Sequence, residues 1–351
     1  MINKESGKEE EKEKILLGHG SGGRLMRNLV SGIITSEFKM EEPLMDSAIL
    51  DLNGSWPNAR LAFTTDSYVV SPFFFEGGDI GDLAINGTVN DLAVSGAQPL
   101  AVSAGFIIEE GFAVGDLKKI IISMSRAAQK AGVRIVTGDT KVVEKGKGDG
   151  IFINTSGIGL LDEKTENLSP RNIRPGDIVI VSGDMGRHGI SVMARRNGID
   201  FDPPLASDTK PLNGLVKRML SNTGAVRVMR DPTRGGLATV LKEFAVDSGF
   251  SIVIKEKDVP VMPSVKGACG LLGLDHLYAA CEGALVAVVA PELAEDVLDT
   301  MRHDEAGLDS AIIGEVVSPG DYRQGSLILE TLAGGERMLD MLSGEQLPRI
   351  C

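Results

Sequence analysis

Asp46 in LMDSAIL, Asp66 in FTTDSYVV, Asp91 in TVNDLAVSG, Asp139 in VTGDTKVV and Asp231 in MRDPTRGG stand at strand ends or on helix faces. The ends of strands are where open α/β sheets place ligands. Carboxylates gathered without His or Cys offer hard oxygen donors, which suits Mg2+, a cation usually shared with phosphates. Each aspartate alone reads as a turn or cap residue, so the argument rests on the set. Asn90 adjoins Asp91 and adds an amide oxygen, and Asp82, Asn86 and Asn90 share a helix face by their spacing of four.

GHGSGG at 18–23, which holds His19, Gly20, Ser21 and Gly22, matches G-x-G-x-x-G. The strand before it, ILL, is too short for a dinucleotide fingerprint, and no clean βαβ unit follows. A glycine-rich loop opening a helix still makes an anion cradle, because its N–H groups are free. DPTRGG at 231–236 leads into an apolar helical run. There Asp231 or Thr233 is placed to cap the helix, and Gly235 and Gly236 let a phosphate approach its positive end. Lys141 reads as an exposed lysine or a phosphate-binding charge. Glu282, before an apolar strand, reads as a turn residue or a general base. His19 and His188 sit beside glycines, where each reads as a phosphate contact or an ordinary surface-loop histidine, and Cys269 and Cys281 read as packing residues.

The sequence holds three cysteines, and Cys351 is its last residue. They show no metal-ligand spacing, and a prenylation signal needs its cysteine four residues from the end. Pro348 biases the preceding residue toward an extended shape. Residues 343–350 drawn out span roughly 26–29 Å. A thiol on such an arm can react in one place and visit another.

Length fits about two domains. Apolar residues make up 42% and aromatics 4%, with 43 glycines, so aliphatic side chains carry the packing. A net charge of −13 argues against nucleic acid as a partner. No apolar run reaches the ~20 residues that span a bilayer, and the charged opening segment is no secretory signal. Few cysteines and no export signal point to the cytoplasm. Strand-like and helical stretches alternate up to a polar, proline-containing break over 162–177, then resume. The expected architecture is two-domain α/β (α+β): a disordered leader 1–14, a first unit 15–164, a second unit 165–342 and a mobile tail 343–351.

GHGSGG, FTTDSYVVSPFFFEGGDIGDLAINGTVNDLAVSGAQP, VTGDTKVV, RDPTRGGL and the final PRIC, in this order, resemble the HypE family of hydrogenase maturation factors. That family lies within the PurM-like ATP-binding superfamily, with aminoimidazole ribonucleotide synthetase, selenophosphate synthetase and thiamine-monophosphate kinase. The resemblance runs from about residue 15 to the end; only the charged leader departs from it. It implies two PurM-like domains, a homodimer paired through the N-terminal domains, and ATP with Mg2+ in the cleft. It also implies that a carbamoyltransferase, HypF, loads a carbamoyl group onto Cys351. ATP then drives dehydration of this S-carboxamide to a thiocyanate, and the cyanide passes to iron on a HypC–HypD complex during [NiFe]-hydrogenase assembly. In that scheme Asp46, Asp66, Asp91 and Asp231 gather Mg2+, and Lys141 stabilises the transferring phosphoryl group. The 18–23 loop closes over the nucleotide, with Asp66, Asn90, Asp91, Thr233, Gly235 and Gly236 beside it, and Glu282 or Asp139 accepts a proton. The Cys351 thiolate is the acyl acceptor: its α-carboxylate resists ionisation and Arg349 eases it.

Three rivals remain in view. A selenophosphate-type synthetase carries a reactive Cys near the glycine-rich region, whereas no Cys here precedes residue 269. A pure carrier presents Cys351 and turns over no ATP. A Rossmann oxidoreductase binds NAD and has no use for the tail.

Overall fold

The computed structural model describes residues 15, 19, 23–34, 45–51, 60–162, 168–221, 224–318, 320, 322–342, 347 and 349–351. The leader 1–14, Gly20, Ser21, Gly22 and Pro348 therefore lie outside the described residues.

The first part of the chain forms α1 (Arg24–Leu29), running into a π-helical turn over Val30–Ile34, then β1 (Ala48–Asp51), β2 (Arg60–Tyr68), the short β3 (Phe74–Phe75) and β4 (Gly78–Asp79), α2 (Ile80–Val94), β5 (Gln98–Glu109), α3 (Val114–Ala131), β6 (Arg134–Val143) and β7 (Ile151–Leu161). One sheet runs in the order β1-β2-β7-β5-β6, antiparallel except where α3 connects the parallel pair β5 and β6. The strict alternation of burial along β2 turns Thr64, Asp66 and Tyr68 to one face and Phe63, Thr65 and Ser67 to the other. α2 covers the first face. Its start is a capping box: Asp79 accepts from the Gly81 and Asp82 N–H groups, and the Asp82 side chain accepts from the Asp79 N–H. Nearly every residue of α2 is buried, as expected of a helix that is apolar all round.

The second part adds β8 (Ile178–Val181), α4 (Arg187–Arg196), α5 (Asn213–Met219), β9 (Val226–Arg230), α6 (Gly236–Ser248), β10 (Ser251–Lys255), α7 (Pro263–Leu272), β11 (Val286–Val289), α8 (Ala294–Arg302), β12 (Ala311–Val317), β13 (Leu327–Glu330) and β14 (Glu336–Leu339). Its sheet order is β14-β13-β10-β12-β8-β11-β9. One apolar core lies between this sheet and α6, and another between it and α5 and α8. α1 sits on this second part: Arg24 pairs with Asp340 at 2.9 Å and Arg27 with Asp247 at 2.8 Å.

Asn90 joins the two parts. Fully buried in α2, its amide donates to the Lys210 and Glu282 carbonyls at 3.1 and 3.2 Å, and its Oδ1 accepts from the Leu212 N–H at 2.8 Å. The expectation that Asn90 touches nucleotide is corrected here: both amide hydrogens and the oxygen are spent on the backbone. Asn86 stands one turn earlier and donates to Thr209 at 3.1 Å, so the shared helix face is a docking face.

Replacing Asn90 by Ala strands two buried carbonyls and an N–H at this junction. At ~1–3 kcal/mol for each unsatisfied group, we expect a loss of about 3 kcal/mol or more, read as a lower urea midpoint with ATP affinity retained by the folded fraction. An unchanged midpoint would contradict the structural role.

Candidate active site

A cavity of about 210 Å3 opens where α2, β2 and the second sheet meet. Asp46, Asp66, Asp91, Asp231 and Glu282 line it, with Tyr68, Arg234 and Cys351. Asp46 precedes β1, Asp66 lies on the helix-facing side of β2, and Asp231 follows β9. Asp91 occupies the last turn of α2, where the helix dipole disfavours a negative charge. Gly87 makes room for the site, since a Cβ there would lie 2.2 Å from the Tyr68 hydroxyl, which itself donates to Asp66 at 3.2 Å.

Ligand atoms of Asp46, Asp91 and Asp231 all fall within 4.8 Å of one another. Burial, then Asp66, Asp231 and Asp46, push Asp91 well above the usual carboxylate range. Burial and Asp46 push Asp231 up to about 8, against the pull of Arg230. Asp46 is also raised by burial, although Arg230 donates to it at 2.9 Å. Arg230 divides itself between Asp46 and Glu243, so it cannot neutralise the trio. Such a set fits a hard divalent cation: only oxygen donors, close together, and carrying more negative charge than the surrounding protein balances.

Glu282 is 2% exposed, and its Oε1 has no hydrogen-bond partner. Burial, then Asp231, Asp208 and Asp66, raise it well above its ordinary value, and Arg234 opposes them. Cys351 is half-buried in the same cavity. Desolvation pushes its thiol up to about 12; Arg234 pulls it down, while Glu282, Asp66 and Asp231 add to the rise.

The structure thus brings together Asp46, Asp66, Asp91, Asp231, Thr233, Glu282 and Cys351. Asp139 and Lys141 stay apart. Register pairs Gly105 with Asp139 and Ile107 with Lys141, which puts both on the open face of the first sheet, opposite Asp66. They pair with each other at 2.6 Å in solvent, and Lys141 holds the Asp139 carboxyl below its usual range. Asp139 is therefore a poor base for this cavity within the single chain. Neither Asp231 nor Thr233 caps α6; Gly235 does so in the left-handed region, φ +82°. Gly236, at φ +63°, packs where a Cβ would lie 2.6 Å from the Leu277 carbonyl, so these glycines serve a tight turn rather than the cavity lining. His19 is half-buried and lines no part of this cavity. Nor does Arg349 ease the thiol: it pairs with Asp149 and donates to the Val69 carbonyl, and Arg234 is the guanidinium facing the sulfur. Arg234 went unread because the RGG run drew attention to its glycines. His188 is wholly buried, bonded to the tail and Ser207 instead of a phosphate. Cys269 and Cys281 are buried, as their apolar surroundings imply.

Comparisons with known proteins bear on the whole chain. The AIR synthase related N-terminal domain matches residues 45–161 and the AIR synthase related C-terminal domain matches 174–324. A protein of Cupriavidus necator named carbamoyl dehydratase HypE is 47% identical over 340 residues, covering 96% of this chain and 95% of its own. A HypE structure in complex with ATP superposes with a TM-score of 0.80 at 45% identity, over 96% of this chain and 100% of that one. The structure of a HypE–HypF complex gives 0.82 at 48%, over 90% and 99%. Among the described residues no helix is long and apolar enough to cross a membrane.

The raised aspartates set a pH dependence. Asp231 binds its proton more tightly folded, at about 8, than unfolded, at 3.8. Its contribution to stability is present below the unfolded value and is lost as pH rises toward about 8. In EDTA, the melting temperature should fall across this window, and Mg2+ should restore it increasingly as pH rises. Asp231→Asn should melt higher than wild type at the alkaline end in EDTA and respond less to Mg2+. Equal metal responses of the two chains would contradict the assignment.

Proposed function

The chain belongs to the HypE family of carbamoyl dehydratases, built from two AIR synthase related domains, and we propose that it dehydrates an S-carboxamide on its own Cys351 to a thiocyanate at the expense of ATP. The observation that carries this reading is the position of the Cys351 sulfur, inside an acidic cavity beside a buried, unpaired Glu282.

An amide oxygen is a poor leaving group, and phosphorylation converts it into a good one, phosphate. The balance is then simple. The carboxamide oxygen takes the γ-phosphoryl group of ATP and leaves as phosphate, the nitrogen gives up two protons, and C≡N forms. Asp46, Asp91 and Asp231 would hold Mg2+, whose charge neutralises the phosphates during transfer. Asp66 and Thr233 border the same space. Arg234 faces the sulfur and the carboxylates together, where it orients the carboxamide oxygen. Glu282 accepts a nitrogen proton. Its carboxyl is raised first by burial and then by neighbouring carboxylates; a cation offsets only the neighbours' share, which moves it toward the range of a working base.

HypF is the donor of the carbamoyl group in this scheme, and a HypC–HypD complex is the acceptor of cyanide for the iron of a [NiFe]-hydrogenase. A chemistry that needs a free thiol suits a reducing compartment, here the cytoplasm. The open face of the first sheet leaves Phe63, Ile107, Ile158 and Leu160 exposed, which supports a homodimer paired through that face. Asp139 and Lys141 lie on it, so the phosphate that Lys141 serves belongs to the second copy.

Glu282→Gln loaded with carbamoyl should keep ATP affinity and lose the ATP-dependent mass decrease of one water by about 10²-fold or more, and Cys351→Ala should not load. Intact mass spectrometry reads both; normal water loss in Glu282→Gln would remove its role. For Lys141, mixed dimers of Lys141→Ala and Cys351→Ala subunits should recover the water loss that neither variant shows alone. No recovery would refute action across the dimer.

A further inference from the structure

The described end of the tail is seated, not free. Its last residues run beside the stretch that follows β2: the Val69 N–H donates to the Cys351 main-chain oxygen at 3.1 Å and the Ser71 N–H to the Arg349 oxygen at 3.3 Å. Arg349 returns a bond to the Val69 carbonyl at 3.0 Å and pairs with Asp149. Ile350 is 4% exposed, in a core that includes Val192 of α4 and Ala280.

From the other side, α4 supplies two donors. Arg196 reaches the Arg349 carbonyl at 2.8 Å and the Ser71 carbonyl at 2.6 Å, clamping the tail to its paired segment. His188 Nε2 lies 2.9 Å from the Ile350 carbonyl, and its Nδ1 lies 2.8 Å from the Ser207 hydroxyl. A carbonyl can only accept, so Nε2 carries the proton and Nδ1 accepts from Ser207. Burial disfavours the imidazolium, in keeping with that neutral form, and Phe75 packs edge-on against the ring. The two donors hold consecutive main-chain oxygens immediately before Cys351. They act on the backbone, so they fix where the sulfur sits whatever the sulfur carries.

We propose that His188 and Arg196 are positioning residues that seat the tail, and that their grip on the Ile350 and Arg349 carbonyls sets the balance between a Cys351 held in the acidic cavity and one released to outside reagents. The catalytic half of this inference rests on the reading of Cys351 as the carrier of the carboxamide; the seat itself does not. The two halves of the cycle then respond in opposite directions. Loosening the seat exposes the thiol and removes the carboxamide from Glu282 and Arg234. Arg196 is the safer probe because its side chain lies at the surface end of α4, whereas His188 is wholly buried.

The test uses the full chain and iodoacetamide, with peptide mapping to separate Cys351 from the buried Cys269 and Cys281. Arg196→Ala and His188→Gln should raise Cys351 alkylation by about tenfold, as expected for losing one charge-assisted or buried hydrogen bond, and Arg196→Lys should fall between. The melting temperature and the silence of Cys269 and Cys281 confirm that each variant is folded. On carbamoylated chains, single-turnover water loss should slow by a similar factor at unchanged ATP affinity. Wild-type alkylation rates in a folded Arg196→Ala would overturn the seat even where water loss proceeds normally. Faster alkylation, with no water loss in any chain including wild type, would uphold the seat and remove the dehydratase reading.

Discussion

Too much negative charge in too small a space is the constraint on which the rest of the structure turns. Asp46, Asp66, Asp91, Asp231 and Glu282 share one cavity with two arginines nearby, and one of those, Arg230, is already divided between Asp46 and Glu243. Buried carboxylates without compensation keep their protons. By itself, then, the cavity disfavours the charged forms of Asp46, Asp91, Asp231 and Glu282, and it favours an anionic site when positive charge enters. In the proposed reaction, cation and nucleotide would therefore be part of how the site reaches its working protonation state, and would move the proton acceptor toward its working range as they bind.

The packing follows from the same constraint. An acidic pocket is tolerable only if the walls cannot relax away from it, and here they are tied. Asn90 binds α2 to two backbone segments of the second part through bonds that no solvent replaces. Glu282 is fixed from behind, where its N–H and that of Gly283 donate to the two oxygens of the buried Asp208, each at 3.1 Å. The carboxylate that points into the cavity is thus mounted on a loop held by another carboxylate that points away from it.

Much of this was readable from residue order. The alternation in FTTDSYVV puts Thr64, Asp66 and Tyr68 on one face without any structure, and an aspartate late in α2 stands out because the helix end opposes it. The long amphipathic helix α3 and the strands β2 and β7 follow from periodicity, whereas α2, apolar all round, is marked by its length and its Asp79 cap. What escaped depends on register and long-range contact. Spacing places Asp139 and Lys141 on the same face of a strand but does not say which face of the sheet that is; only the pairing with Gly105 and Ile107 does. Asn90 beside Asp91 invites a ligand role, yet one residue's rotation around a helix separates a cavity wall from a domain tie. β9, α7, α8, β13 and β14 are harder to read from residue order, because their patterns are short and their neighbours are distant in sequence. The seat of the tail belongs to the same class, since Arg196 and His188 precede the residues they hold by more than a hundred and fifty positions.

One sulfur must meet two opposed demands. To accept an acyl group it has to ionise, and to be dehydrated as a carboxamide it has to lie among phosphates and carboxylates. In the seated position its thiol is pushed up to about 12. At neutral pH the protonated thiol is then strongly favoured there. In the proposed cycle the seated thiol is therefore a weak nucleophile, and loading would belong to the released tail. Once carbamoylated, the sulfur has no proton to lose, and the desolvation that silenced the thiol costs the neutral carboxamide far less. The order of the two proposed steps would thus follow from where a charge can exist, while the grip of His188 and Arg196 sets how readily the tail leaves: the cavity disfavours the reactive form of the empty tail and suits the uncharged, loaded one.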